Sequence, residues 1–120
     1  MMKKVLWVSR HEMTEAQKAD LDRIMGGSAE LIPMRETVRD AATLRPLLDG
    51  VDAVAAVLPP ELLRELLTLA GEKPVLRAVS ERQPTGRTTT LSDGRQEPEF
   101  AFVHVRWEQV LRVEIVTQKL

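Results

Sequence analysis

Val51-Asp52-Ala53-Val54-Ala55-Ala56-Val57-Leu58-Pro59-Pro60 decides the fold. Val54 to Leu58 is apolar on both faces, the pattern of a central parallel strand covered from two sides. The strand reads as Val51 to Leu58, and Pro59-Pro60 stops it. Pro60 can open a helix, because its missing N–H is not needed in the first turn. Leu62, Leu63, Leu66, Leu67 and Ala70 then form one apolar stripe, and Gly71 closes the helix.

Working outward, Pro74 to Val79 reads as the next strand. Upstream, a helix is expected over Asp40 to Leu48, with Leu44, Leu47 and Leu48 inward and Pro46 tolerated only in the first turn. Glu30 to Met34 is a short strand interrupted by Pro33. Thr14-Glu15-Ala16-Gln17 fits a capping box at a helix start. Leu21, Ile24 and Met25 fall on one face of that helix, and Gly26-Gly27 ends it. Lys3 to Ser9, with Val5-Leu6-Trp7-Val8 at its centre, reads as a buried first strand.

From Ser80 the character changes. Thr88 to Leu91 is β-prone, Asp93-Gly94 is a turn signal, and Phe100, Phe102, His104 and Arg106 alternate with Ala101, Val103 and Val105. A hairpin adjoining the parallel sheet is expected there. Val110 to Thr117 is read as a strand for its β-branched residues. The β-α-β-α-β-α-β order requires right-handed crossovers. The expected fold is α/β: a Rossmann-like parallel sheet of about four strands flanked by helices, with a C-terminal antiparallel hairpin, in one domain over residues 1–120. Ligands in such sheets collect beyond the carboxyl ends of the strands. That places Ser9 to Thr14, Leu58 to Glu61 and Ser80 to Arg87 on the expected binding rim.

Composition narrows the functions. Apolar residues make up 43% and charged residues 29%, ordinary for a globular domain. No apolar run approaches the roughly 20 residues of a membrane span. The formal net charge is −1, which argues against binding a long nucleic acid through its backbone. The 17 Lys and Arg residues can still cluster around a small anion. There is no cysteine, which suits a cytoplasmic location and leaves no thiolate ligand or nucleophile.

Ser9, Arg10 and His11 stand just before a helix N-terminus, where free N–H groups favour an anion. The plainer alternative is a solvated turn with a cap. Arg82 could fork onto a phosphate, or simply join a surface ion pair with Glu81. His11 and His104, so far apart, make no metal motif, and a lone His is more often a hydrogen-bonded structural residue. No HExxH, P-loop or GxSxG pattern is present. A Ser beside a His invites a hydrolase triad, but no acidic residue stands in a position suited to orient the imidazole.

Ser9-Arg10-His11-Glu12-Met13-Thr14-Glu15-Ala16-Gln17 is similar to the Ser-His-x-x-Thr-x-x-Gln opening of the small stand-alone CRISPR-associated ring nucleases. Ala78-Val79-Ser80-Glu81-Arg82, the Asp93-Gly94 turn and Phe102-Val103-His104-Val105-Arg106-Trp107 resemble that family's C-terminal half. The resemblance implies a Rossmann-like fold related to the CARF sensor domains, in a homodimer that binds a cyclic oligoadenylate across its two-fold axis. It implies cleavage without metal or cofactor, by attack of a ribose 2′-hydroxyl on the adjacent phosphate. The products end in 2′,3′-cyclic phosphates, and an antiviral signal is switched off. His11, Arg82 and Ser80 would then be the catalytic residues, and Ser9, Arg10, Thr14 and Glu81 would contact the ring. A non-catalytic binder of a cyclic nucleotide, or of a partner protein, on the same fold is the alternative.

Overall fold

The computed structural model describes residues 2–120. Four parallel strands and one antiparallel strand form a sheet in the order β2-β1-β3-β4-β5. β1 is Lys3–Val8, β2 Ala29–Met34, β3 Ala53–Ala56, β4 Val75–Thr90 and β5 Gln96–Gln109. Three α-helices connect or flank them: α1 Glu15–Met25, α2 Arg45–Leu48 and α3 Pro60–Ala70. The chain is α/β, as the strand and helix pattern implies.

The central strand has a cause in its composition. All four β3 residues are buried, because helices cover both faces. Leu6, Val8, Val54, Ala56 and Val75 face α3 and the α2 region, where Leu44, Leu48, Leu63 and Leu66 meet them. Val5, Trp7, Ala53, Ala55 and Leu76 face α1 through Leu21, together with Trp107 of β5. Burying each large apolar side chain is worth roughly 1.5–3 kcal/mol, so these two layers hold the sheet.

α1 starts and stops where its caps require. The Thr14 hydroxyl accepts from the Gln17 N–H, and the Gln17 side chain accepts from the Thr14 N–H. Gly26 takes φ +80°, a left-handed conformation that favours glycine, and ends the helix. Ile24, expected inward, is 40% exposed, since α1 meets the sheet along the narrower Leu21–Met25 edge.

Other elements depart from the sequence expectation. The Asp40–Leu48 helix is a 3₁₀ turn, Ala41–Leu44, capped by the Asp40 side chain, followed by the single turn of α2 with Pro46 in its first turn. Leu47 points outward. β3 ends at Ala56, two residues before Leu58, because β4 leaves it after Ala55 and β1, its other partner, ends at Val8. Ser80 to Arg87 is not a loop but the middle of β4, whose far half is the first arm of the expected hairpin. Residues 110–120 contain no strand: beyond the Val110 N–H no backbone hydrogen bond ties them to the sheet.

The β4–β5 ribbon leaves the body of the protein. Most of its residues beyond Val79 are exposed. The radius of gyration is 17.3 Å, against about 14 Å for a compact chain of this length. Among the described residues, no helix is long and apolar enough to cross a membrane.

Candidate functional site

The order of the sheet locates the site. The chain leaves β1 for β2 on one side and returns to β3 on the other, so the crevice lies beyond the carboxyl ends of β1 and β3. The Ser9–Thr14 loop rises there. Trp7 lies on the α1 face, and its indole N–H donates to the His11 carbonyl at 2.9 Å. Met13 packs against the same cluster. The loop therefore folds over the α1 side of the rim.

Two hydroxyls expected to meet a ligand are already engaged. Ser9 is buried, and its Oγ accepts from the His11 N–H at 3.1 Å. The Thr14 Oγ accepts from Gln17 within the capping box. These groups shape the loop and satisfy its backbone donors. Arg10 and His11 are exposed, and among the described residues neither joins an ion pair.

A bulge in β5 builds the other half. Val79 pairs with Arg106, but Ser80 pairs with His104, so Val105 is an extra residue. Such a bulge re-aims the side chains beyond it. It turns His104 to the same face as Trp107. The His104 Nε2 meets the Asp20 carboxylate at 2.9 Å, and the Trp107 indole donates to the Gln17 carbonyl at 2.9 Å. Both tie β5 to α1. The Asp20 carboxyl is held below the usual carboxylate range, first by His104 and then by Arg23.

From His104 outward the strand alternation sorts the ribbon into two faces. Ser80, Arg82 and Pro84 share one face with their partners His104, Phe102 and Phe100. This is the α1 face. Glu81 and Gln83, with Val103 and Ala101, occupy the other. Glu81 is thus turned away from Ser80 and Arg82 and does not belong with them. The Arg82 guanidinium lies 3.8 Å from the centre of the Phe100 ring. Among the described residues it joins no ion pair, with Glu81 or any other acid. Phe102 is 79% exposed beside it.

His11, Ser80 and Arg82 therefore emerge at the same end and on the same face of the sheet. They are not one tight cluster. β1 and β4 are two strands apart, about 10 Å. Val8 is level with Ala56, and Ala55 with Leu76, so Arg82 stands well beyond the rim on the ribbon.

Asp20, Phe100 and Phe102 are additions to the residues singled out from sequence. The Phe-x-Phe-x-His alternation could have flagged the two rings as face partners of His104. Nothing local ties Asp20 to His104, 84 positions away. Asp20 does supply the acidic partner a triad would need, but for His104. The Ser80 hydroxyl makes no hydrogen bond to that ring, so no Ser-His-Asp relay is assembled. Among the described residues, no group of three or more His, Asp or Glu side chains is placed to hold a metal. No family model, curated protein or solved structure matches this chain.

Proposed function

We propose that this protein binds a cyclic oligoadenylate on the α1 face of its β4–β5 ribbon and cleaves it to linear products with 2′,3′-cyclic phosphate ends, so ending an antiviral signal. One observation carries the binding step: an unpaired Arg82 stacked on Phe100, with the exposed Phe102 ring beside it. Aromatic faces take bases by stacking, worth roughly 1–3 kcal/mol per base. A guanidinium takes phosphate oxygens in a two-pronged fork. A second copy related by a two-fold axis would double both features around a ring, which reconciles a polyanionic ligand with a chain of net charge −1.

The cleavage step rests on the resemblance in the two matching segments. The ribose 2′-oxygen forms a bond to phosphorus as the bond from phosphorus to the 5′-oxygen breaks. The 2′-hydroxyl proton passes to a base, and the leaving oxygen takes up a proton. His11 is the exposed imidazole at the rim and is assigned this transfer. Arg82 and the Ser80 hydroxyl stabilise the charge gathering on the phosphate oxygens. Arg10 adds a second cation. Ser9 and Thr14 act through the loop they hold. The cytoplasm, where such a messenger is made, is the assigned compartment.

A binding-only role is the second reading. It is favoured by the internal hydrogen bonds of Ser9 and Thr14 and by the distance of Arg82 from the rim. Radiolabelled cyclic tetra-adenylate, incubated with the protein and EDTA, separates the two. Linear cyclic-phosphate products support cleavage, and their loss in His11→Ala and Arg82→Ala supports the assigned roles. An intact ring with a gel shift leaves binding alone. An intact ring with no shift removes both readings.

A further inference from the structure

The sheet splits between β3 and β4. The two strands pair over Val54–Val75 and Ala55–Leu76 alone. β4 then runs on to Thr90 with β5 on one side and no strand on the other. Alternate N–H and C=O groups along that free edge lack a strand partner. Where the strands part, a cleft of about 980 Å³ opens between Val57 and Leu58 beyond β3, Leu63 of α3, and Val110 and Val113. This is the α3 side of the sheet, away from the Arg82 face.

The same chain carries a strand-forming segment with no edge to join. Val113, Ile115, Val116 and Thr117 are β-branched. No backbone–backbone hydrogen bond is made beyond Val110, whose N–H donates to the Val75 carbonyl. Val116 is 89% exposed, and Leu111 and Leu120 are exposed with it. The segment starts at the wall of the cleft but leads away from it. Folding back into its own cleft would need a tight reversal after Val110. Leu111 to Leu120 has no Gly, Pro, Asn, Asp or Ser to make one.

We propose that residues 114–120 of one copy lie as an added strand along the free β4 edge in the cleft of a second copy, and that the exchange is reciprocal about a two-fold axis. Main-chain hydrogen bonds to β4 supply register, and alternate apolar side chains enter the cleft. A seven-residue strand makes a strip about 23 Å long and 10 Å wide. Counted on both surfaces and for both strands, it removes roughly 900 Å², close to the roughly 1,000 Å² lower bound for a specific interface. The exchange is independent of ring cleavage.

Because the chain lacks cysteine, it can be tested with single-cysteine variants, Val57→Cys and Val116→Cys, at two exposed positions. Mixed and oxidised, they should give a crosslinked Val57→Cys/Val116→Cys pair at least severalfold above either self-pair. The full chain should sediment as a dimer, and Val116→Asp, with circular dichroism unchanged, as a monomer. A mixture without the heterologous crosslink, a monomeric full chain, or a dimeric Val116→Asp would each overturn the exchange. Ring cleavage read on the same samples reports separately on the reaction.

Discussion

The His104 side chain is 6% exposed, with its Nε2 on Asp20 and its Nδ1 on no partner. With Asp20 ionised, the Nε2–H of His104 donates to the carboxylate. The pairing lowers the Asp20 pKa. A carboxyl lowered in the folded state adds stability above its unfolded value of about 3.9, and loses it as pH falls through the lower folded value. Asp20→Asn should therefore be less stable than the parent at pH 7 by about 1 kcal/mol, a typical net hydrogen-bond contribution discounted for partial exposure. Urea melts should show that gap shrinking as pH drops below about 4. Asp22 and Glu108 are lowered in the same direction, by Lys18 and the Ala29 N–H and by Arg77 and Arg106, but they are common to both proteins and cancel. A gap that stays constant to pH 3 would remove the ion pair from the account. On the face proposed for the ring, Phe102→Ala should weaken ring binding tenfold or more, as loss of one stacked base implies. Phe102 is 79% exposed, so its urea midpoint should not move. Equal binding by titration calorimetry would place the ring elsewhere. Of these residues, His11, Ser80 and Arg82 stand out in the sequence as functional groups next to expected strand ends. Asp20 was not, because the contact that gives it meaning exists only after β5 bulges and packs on α1.

Elements were legible where local chemistry decides them. The Thr14–Gln17 box, Gly26 and the Pro60 start all lie where sequence puts them. Thr14→Ala should cost about 1 kcal/mol by thermal or urea melt, the usual loss for a cap. A change near zero would mean that water satisfies the freed N–H equally well. The long β4 was not legible. Arg82-Gln83-Pro84-Thr85-Gly86 has the composition of a loop, yet pairing with β5 carries the strand through it. Pro84 is tolerated because β4 is an edge there. Gly86, at φ +84°, sits in the irregularity between Pro84 and Thr88. Residues 110–117 fail in the opposite sense: β-branched composition predicts a strand, but a strand needs an edge, and composition cannot see edges. A two-stranded ribbon with little behind it is marginal in water. Hydrogen exchange in the monomeric Val116→Asp form should accordingly be orders of magnitude faster across Glu81 to Val103 than across Val5 to Val8 and Ala53 to Ala56. Comparable protection in the isolated chain would mean that something covers the ribbon.

At the scale of the whole molecule, a net charge of −1 conceals a sorted surface. Arg82 stands on the aromatic face of the ribbon, while Glu81 is turned to the other, a separation that a sum over the chain cannot carry. The overall outline is equally hidden from composition. Apolar content of 43% implies an ordinary core, and the body has one, but the ribbon extends beyond it to give extents of 52 × 50 × 23 Å. The physical reason is that, among the described residues, the outer part of the ribbon has nothing packed behind it, while its base is held by the His104–Asp20 and Trp107–Gln17 bonds, the Trp7–Trp107 ring contact and the short β3–β4 pairing. A monomeric form such as Val116→Asp should then scatter X-rays with a radius of gyration near 17.3 Å and a maximum dimension above 50 Å. Removing the anchor by His104→Ala should leave secondary structure in place but broaden the distance distribution, as the ribbon swings on Val79–Ser80. Scattering near the roughly 14 Å of a compact chain would mean that the ribbon folds back onto α1, covering Arg82 and Phe102. The face proposed for the ring would then be closed in the free protein, and ring binding there would have to be coupled to opening it.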